Sequence, residues 1–348
     1  MKLEPIKQHV KAMHSVTRTE APPWARMMIC GVACGAPLMT GYLNGSLSSA
    51  IYGALLGYLL AQNDHSGSLV HRLLIAGLSF VSYLSCFGLG IVLREHLALF
   101  IALVGCFIYF LGMMGGYGAE LERMVLFSIV QLIMGFYAPS VHLGQFPEIF
   151  LYASLALAVV WTGRISADRI LGSENLPYAK LKTSLLSSLT RDKKRHYYAI
   201  SYTLAALISI GVVTEFEIPR GYWTIVTVLL VMKPDHRESV YRSFQRFIGT
   251  VLGVMVGEGF LNLIHREEIL ILAVSLAAFA VPYAVKRNYA MVSFFVSLVV
   301  IFLLNIPHLG HPDTLIPFVR LKATLYGCGL SLFGVLIYAT LCRVLIKK

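Results

Sequence analysis

Gly221-Tyr-Trp-Thr-Ile-Val-Thr-Val-Leu-Leu-Val-Met-Lys-Pro-Asp-His-Arg-Glu-Ser-Val-Tyr-Arg-Ser-Phe-Gln-Arg-Phe-Ile-Gly-Thr-Val-Leu-Gly-Val-Met-Val-Gly257 sets two apolar runs on either side of a charged turn. The first run, Tyr222–Met232, holds eleven residues. That is too few to cross ~30 Å of hydrocarbon as one helix. Pro219 and Pro234 bound it. Short, Pro-bounded apolar segments point to a discontinuous helix at a site inside the bilayer; a short tilted span beside an interfacial loop fits the same residues. The second run carries Gly249, Gly253 and Gly257. Spacing by four puts all three on one helix face, where a neighbouring backbone can approach closely.

Composition extends this reading to the whole chain. Of 348 residues, 57% are hydrophobic and 14% charged, with a mean hydropathy of +0.71. Soluble domains carry about 25% charged residues, so a soluble globule is excluded. The apolar runs are long and continuous, and such spans are helices. The fold class expected is therefore all-α: a polytopic membrane protein whose first partner is the lipid bilayer. The net charge of +11 reads as cytoplasmic loops rich in Lys and Arg rather than as a nucleic-acid surface. Six cysteines lie in or beside apolar runs, which argues against a disulfide framework. Cys30 and Cys34 share a helix face, but no His or third Cys completes a metal site. No metal and no cofactor are expected.

Outward from the opening stretch, the chain divides into four parts. Residues 1–26 are a basic tail in which Leu3, Ile6, Val10 and Met13 fall at helical spacing, and Pro22-Pro23 closes it. Residues 27–163 hold six apolar runs: about Met27–Leu43, Leu47–Gln62, Val70–Leu93, Leu97–Met114, Met124–Val141 and Phe146–Thr162. Residues 164–196 are a basic linker. Residues 197–348 hold six more runs: about Tyr197–Val213, Tyr222–Met232, Phe244–Ile264, Leu270–Val285, Tyr289–Leu304 and Pro317–Cys342. The expectation is about twelve transmembrane helices in two six-helix halves. Basic residues in the tail, the linker, the turns at His71-Arg72, Lys233–Arg242 and Lys286-Arg287, and the carboxyl end place both termini in the cytoplasm. Glu120 and Glu122, with Arg123 beside them, run against this rule. The halves also resemble each other. Asn63-Asp64-His65 answers Pro234-Asp235-His236, and Arg72 before Gly77 answers Arg246 before Gly249. Such a layout is a parallel repeat about an axis along the membrane normal.

Several residues are candidates for binding. Arg246 enters the glycine face and either snorkels to headgroups or turns inward, where its fork would match a carboxylate. Asp235, three residues before Glu238, has the form of a capping box. Arg320 opens the last run ahead of Gly327, Gly329 and Gly334, and Arg72 stands at the matching place in the first half. Thr250 follows Gly249 on the same helix. Tyr222 and Trp223 fit an interfacial aromatic belt or a stack on a planar ligand. Glu258 is the one carboxylate well inside an apolar run, and such a group is a candidate for proton coupling. Gly249, Gly253 and Gly257 read first as packing residues. Neither a phosphate-cradling Gly-x-x-x-x-Gly-Lys loop nor a Gly-x-Ser-x-Gly elbow occurs, so no enzyme is expected.

Tyr222-Trp223-Thr-Ile-Val-Thr227, then Pro234, then Arg246-Phe-Ile-Gly249-Thr250-Val-Leu-Gly253 resembles the hallmark of the fusaric acid resistance protein-like family, which includes aromatic acid exporters. Arg320-Leu-Lys-Ala-Thr324-Leu-Tyr-Gly327 resembles that family's second Arg-to-Gly signature. The first half is similar in layout only. A short linker stands where the family often carries a large cytoplasmic domain. The resemblance implies a bacterial inner-membrane protein that exports small organic or aromatic carboxylic acids, driven by protons. Arg246, Arg320 and Arg72 would hold the anion, and Tyr222 and Trp223 would line the path. Two alternatives stand beside it: a passive anion channel, as in plant proteins similar to the wider group, and a non-transporting scaffold or accessory subunit of an envelope complex. Partners in prospect are the organic anion, a second copy of the chain, or a periplasmic adaptor.

Overall fold

The computed structural model describes residues 22–64, 67–114, 119–138, 141–171, 193–264, 266–308 and 315–346. The tail positions Leu3 to Met13, His65, the linker centre, the Pro312 turn and the terminal lysines lie outside them. Among the described residues there are twelve α-helices, three short 3-10 segments and no strand. The first half comprises α1 (Trp24–Leu43), α2 (Leu47–Gln62), α3 (Leu69–Val92), α4 (Leu97–Met114), α5 (Ala119–Tyr137) and α6 (Phe146–Leu171). The second comprises α7 (Lys193–Glu215), α8 (Tyr222–Val231), α9 (His236–Leu261), α10 (Glu267–Val285), α11 (Tyr289–Asn305) and α12 (Leu315–Ile346). Every apolar run is thus a helix. Six helical stretches, those of α3, α4, α6, α7, α10 and α12, are long and apolar enough to cross a membrane unaided. The protein is a multi-pass membrane protein.

Local chemistry sets the boundaries. Asp235 caps α9 by accepting the Arg237 N–H at 2.9 Å. Glu238 does not complete the expected box; it accepts from Arg242 at 2.9 Å instead. Asn288 caps α11 through the Met291 N–H at 3.0 Å. Met232 leaves α8 extended, at ψ 128°, two residues before Pro234, which cannot donate to a continuing helix. The linker starts later than the sequence suggested. α6 continues through Arg164 and Arg169 to Leu171, because Arg164 is buried against the turn after α2 rather than solvated.

The same helix pairs pack in each half. α2 lies against α6 as α8 lies against α12; α3 lies against α5 as α9 lies against α11. Between halves, α1 packs on α10 and α4 packs on α7. Glycines permit the closest of these approaches. A Cβ at Gly253 would lie 2.7 Å from the Phe294 carbonyl oxygen, and one at Gly249 would strike the Ala290 carbonyl. In the first half, Gly90 and Gly135 interlock α3 with α5 in the same way.

The turn that ran against the charge rule finds basic partners. Glu120 meets His71 at 2.8 Å, and Glu122 meets Lys233 at 3.4 Å. Both acids therefore sit at the same end of the bundle as two turns that the sequence assigned to that side.

Candidate functional site: a buried arginine pair

Arg246 of α9 and Arg320 of α12 are each 1% exposed. Arg246 faces the bundle and not the headgroups, because it shares its helix face with Gly249 and Gly253, the face that packs inward. Arg320 lies over Trp223, its Cζ 3.9 Å from the ring centroid. A desolvated cation over a tryptophan contributes about 2 kcal/mol. α8 comes this close to α12 at Gly327, where a Cβ would be 2.8 Å from the Thr224 carbonyl oxygen. Tyr222 and Trp223 are both buried. The interfacial-belt reading is corrected: the short helix carries these rings into the interior, and the planar partner of Trp223 is a guanidinium.

The pair is short of partners. Nε and Nη2 of Arg246, and Nε, Nη1 and Nη2 of Arg320, are buried with no hydrogen-bond acceptor among the described residues. The hydroxyls of Thr250, Thr224, Ser293 and Ser297 are buried and unpartnered as well. Ser293 and Ser297 of α11 pack against Gly249 and Gly253, on the helix face that Arg246 heads. The two arginines lie within electrostatic reach of each other, and Tyr58 of α2 lies within reach of both.

A contrasting cluster holds Arg72. Asp64, in the turn after α2, is the one carboxylate among the buried polar side chains described. Arg72 donates to it from Nε at 3.0 Å and Nη2 at 2.9 Å. Arg26 Nε lies 3.0 Å and Arg164 Nε 3.3 Å from its oxygens. Arg164 also donates to the carbonyls of Arg72, Leu60 and Asn63, tying α6 to the end of α2. Burial opposes ionisation of Asp64, but the surrounding Arg164, Arg72 and Arg26 guanidiniums outweigh it and hold the carboxyl below its usual range. The expectation that Arg72 joins Arg246 and Arg320 is corrected: it is spent on an internal acid.

Glu258 is exposed on the outer face of α9. The buried setting expected for it is corrected too, since the inward face at that level is Gly257, against Ile301 and Leu298. Sequence reading missed Tyr58, Thr224, Ser293, Ser297 and the Asp64–Arg164 bond. The serines carried a signal, spacing by four to match the glycines they face. Arg164 carried none, because it borders a charged segment. No group of three metal-ligating side chains occurs among the described residues.

Such an arrangement can bind an anion. Burying a charge without a partner costs several kcal/mol, and two like charges within reach of each other add repulsion. A carboxylate would supply acceptors to both forks, charge-assisted and bidentate.

An uncharacterized protein of Haemophilus influenzae is 27% identical over 172 residues, 49% of this chain and 23% of its own length. Uncharacterized protein YhfK of Escherichia coli K12 is 24% identical over 159 residues, 46% of this chain and 22% of its own. Inner membrane protein YccS of the same organism is 25% identical over 137 residues, 38% of this chain and 18% of its own. The aligned stretches are about a fifth of the length of these relatives. No solved structure matches. The model of the fusaric acid resistance protein-like family matches residues 202–334, a span that contains Trp223, Arg246, the three glycines and Arg320, so this part of the chain is similar to that family.

Proposed function

We propose that the protein is a bacterial inner-membrane secondary exporter of small organic carboxylic acids, aromatic ones included, with both termini in the cytoplasm and the proton gradient as its drive. The observation that supports this is the buried pair: five guanidinium nitrogens of Arg246 and Arg320 lack acceptors among the described residues. Trp223 would orient a planar acid beside Arg320, and the Thr250 hydroxyl would add a donor. Glu258, on the outer face, takes no part in holding the anion.

The test is uptake of labelled benzoate into everted membrane vesicles energised with a proton gradient. Arg246→Gln and Arg320→Gln should each reduce the initial rate at least tenfold at equal expression. Parent-like transport by Arg246→Gln would sink the carboxylate role. An ohmic benzoate current without proton dependence would replace the exporter by a channel.

A further inference from the structure

A groove of about 690 Å³ is distinct from the arginine pair, since neither Arg246 nor Arg320 is among its lining residues. Its walls come from the end of α7, the turn at Ile218–Arg220 and the start of α12. Phe216, Phe318 and Tyr326 supply apolar and aromatic surface, and all three are exposed. Among the described residues, the charged ones lining the groove are Arg220 and Lys322, both cations. The Lys322 ammonium lies 4.3 Å above the Phe318 ring, so one charge already borders one apolar wall.

The backbone at Arg220 adds a second observation. Its φ is +52°, in the left-handed region that non-glycine residues seldom adopt and where such residues cluster at functional sites. The turn is locked by Gly221 N–H to Ile218 O at 2.9 Å and by Trp223 N–H to Arg220 O at 3.2 Å. The strained residue thus lines the groove while its carbonyl fastens Trp223 beneath Arg320. On the other wall, Val319 lines the groove and the next residue, Arg320, is buried in the pair.

We propose that this groove binds an amphiphilic organic monoanion from solution, with its charge between Arg220 and Lys322 and its apolar body on Phe216, Phe318 and Tyr326. The volume suits one drug-sized guest, and two cations on apolar walls select for a negative head on a hydrophobic body. That the groove serves as a waiting site next to Arg320 rests on the anion path proposed above; the binding itself does not.

The probe is 8-bromooctanoate, whose bromine quenches tryptophan at short range. The full chain is placed in nanodiscs of neutral phosphatidylcholine, with Trp24→Phe and Trp161→Phe leaving Trp223 as the single reporter. Quenching by 8-bromooctanoate should saturate, and the Arg220→Asn, Lys322→Gln double variant should weaken the apparent Kd at least fivefold. Asn is chosen because it accepts a positive φ. The neutral 8-bromo-1-octanol should quench weakly and without saturation. The groove proposal is overturned if the double variant binds like the parent, or if the alcohol quenches as the acid does. It is also overturned if phosphatidylglycerol in the disc abolishes the acid's binding, which would make the groove a lipid site. The anion path fails separately, through parent-like transport by Arg246→Gln, and that result leaves the groove's binding data standing.

Discussion

Four buried or half-buried arginines stand in opposite circumstances. Arg72 and Arg164 share Asp64 with Arg26, while Arg246 and Arg320 form no ion pair with a carboxylate among the described residues. Removing one partner of a buried ion pair costs about 3–5 kcal/mol, because it leaves the other charge uncompensated. Asp64→Asn should therefore destabilise the protein by about 3 kcal/mol, read as a lower unfolding midpoint in detergent at pH 7. The depressed carboxyl of Asp64 sets the sign of the pH dependence. Its contribution is present in full above the ordinary carboxylate pKa of about 3.9 and is lost as pH falls through the lower folded value. The difference between parent and variant should stay constant from pH 7 to pH 5 and close below about pH 4. A constant difference down to pH 3 would show that Asp64 does not act through its charge.

Among the helices, α8 and α9 decide the site. α8 has ten residues, about 15 Å of helix, and this length puts Trp223 inside the bundle. α9 approaches α11 over its glycines. Gly249→Ala should cost about 1–3 kcal/mol, since its methyl meets the Ala290 carbonyl, which is backbone and cannot yield as a side chain can. Gly259→Ala, with nothing within 4 Å of its new methyl, should be neutral or stabilising by about 0.5–1 kcal/mol. Thermal unfolding of the two variants compares them directly. Equal effects would remove the close-approach explanation. Both helices were legible beforehand: Pro219 and Pro234 marked α8, and the spacing by four marked the packing face of α9. The outward turn of Glu258 was not, because a lone acid near a helix end lacks the periodicity that assigns a face.

Across the whole molecule, the shared end of the His71, Glu120, Glu122 and Lys233 turns agrees with charge counting. Single cysteines at Glu120 and Lys233 should be labelled from one side of the membrane by an impermeant maleimide, and a cysteine at Glu215 from the other. Labelling of the Glu120 and Lys233 positions from opposite sides would break the topology. Apolar runs, prolines and basic turns were enough to specify an all-helical membrane protein and its glycine-faced segments, because these follow from the local cost of placing backbone and charge in hydrocarbon. Which arginine meets an acid could not be read from the chain. Arg72, Arg246 and Arg320 stand in similar local sequence, yet Arg72 pairs with Asp64 of the turn just before its own helix, while Arg320 meets Trp223 of a helix far away along the chain. Helix packing brought Arg26 and Arg164 onto Asp64 and laid Arg320 over Trp223, since a charge's distant neighbours are fixed by the approach of helix axes rather than by the residues next to it.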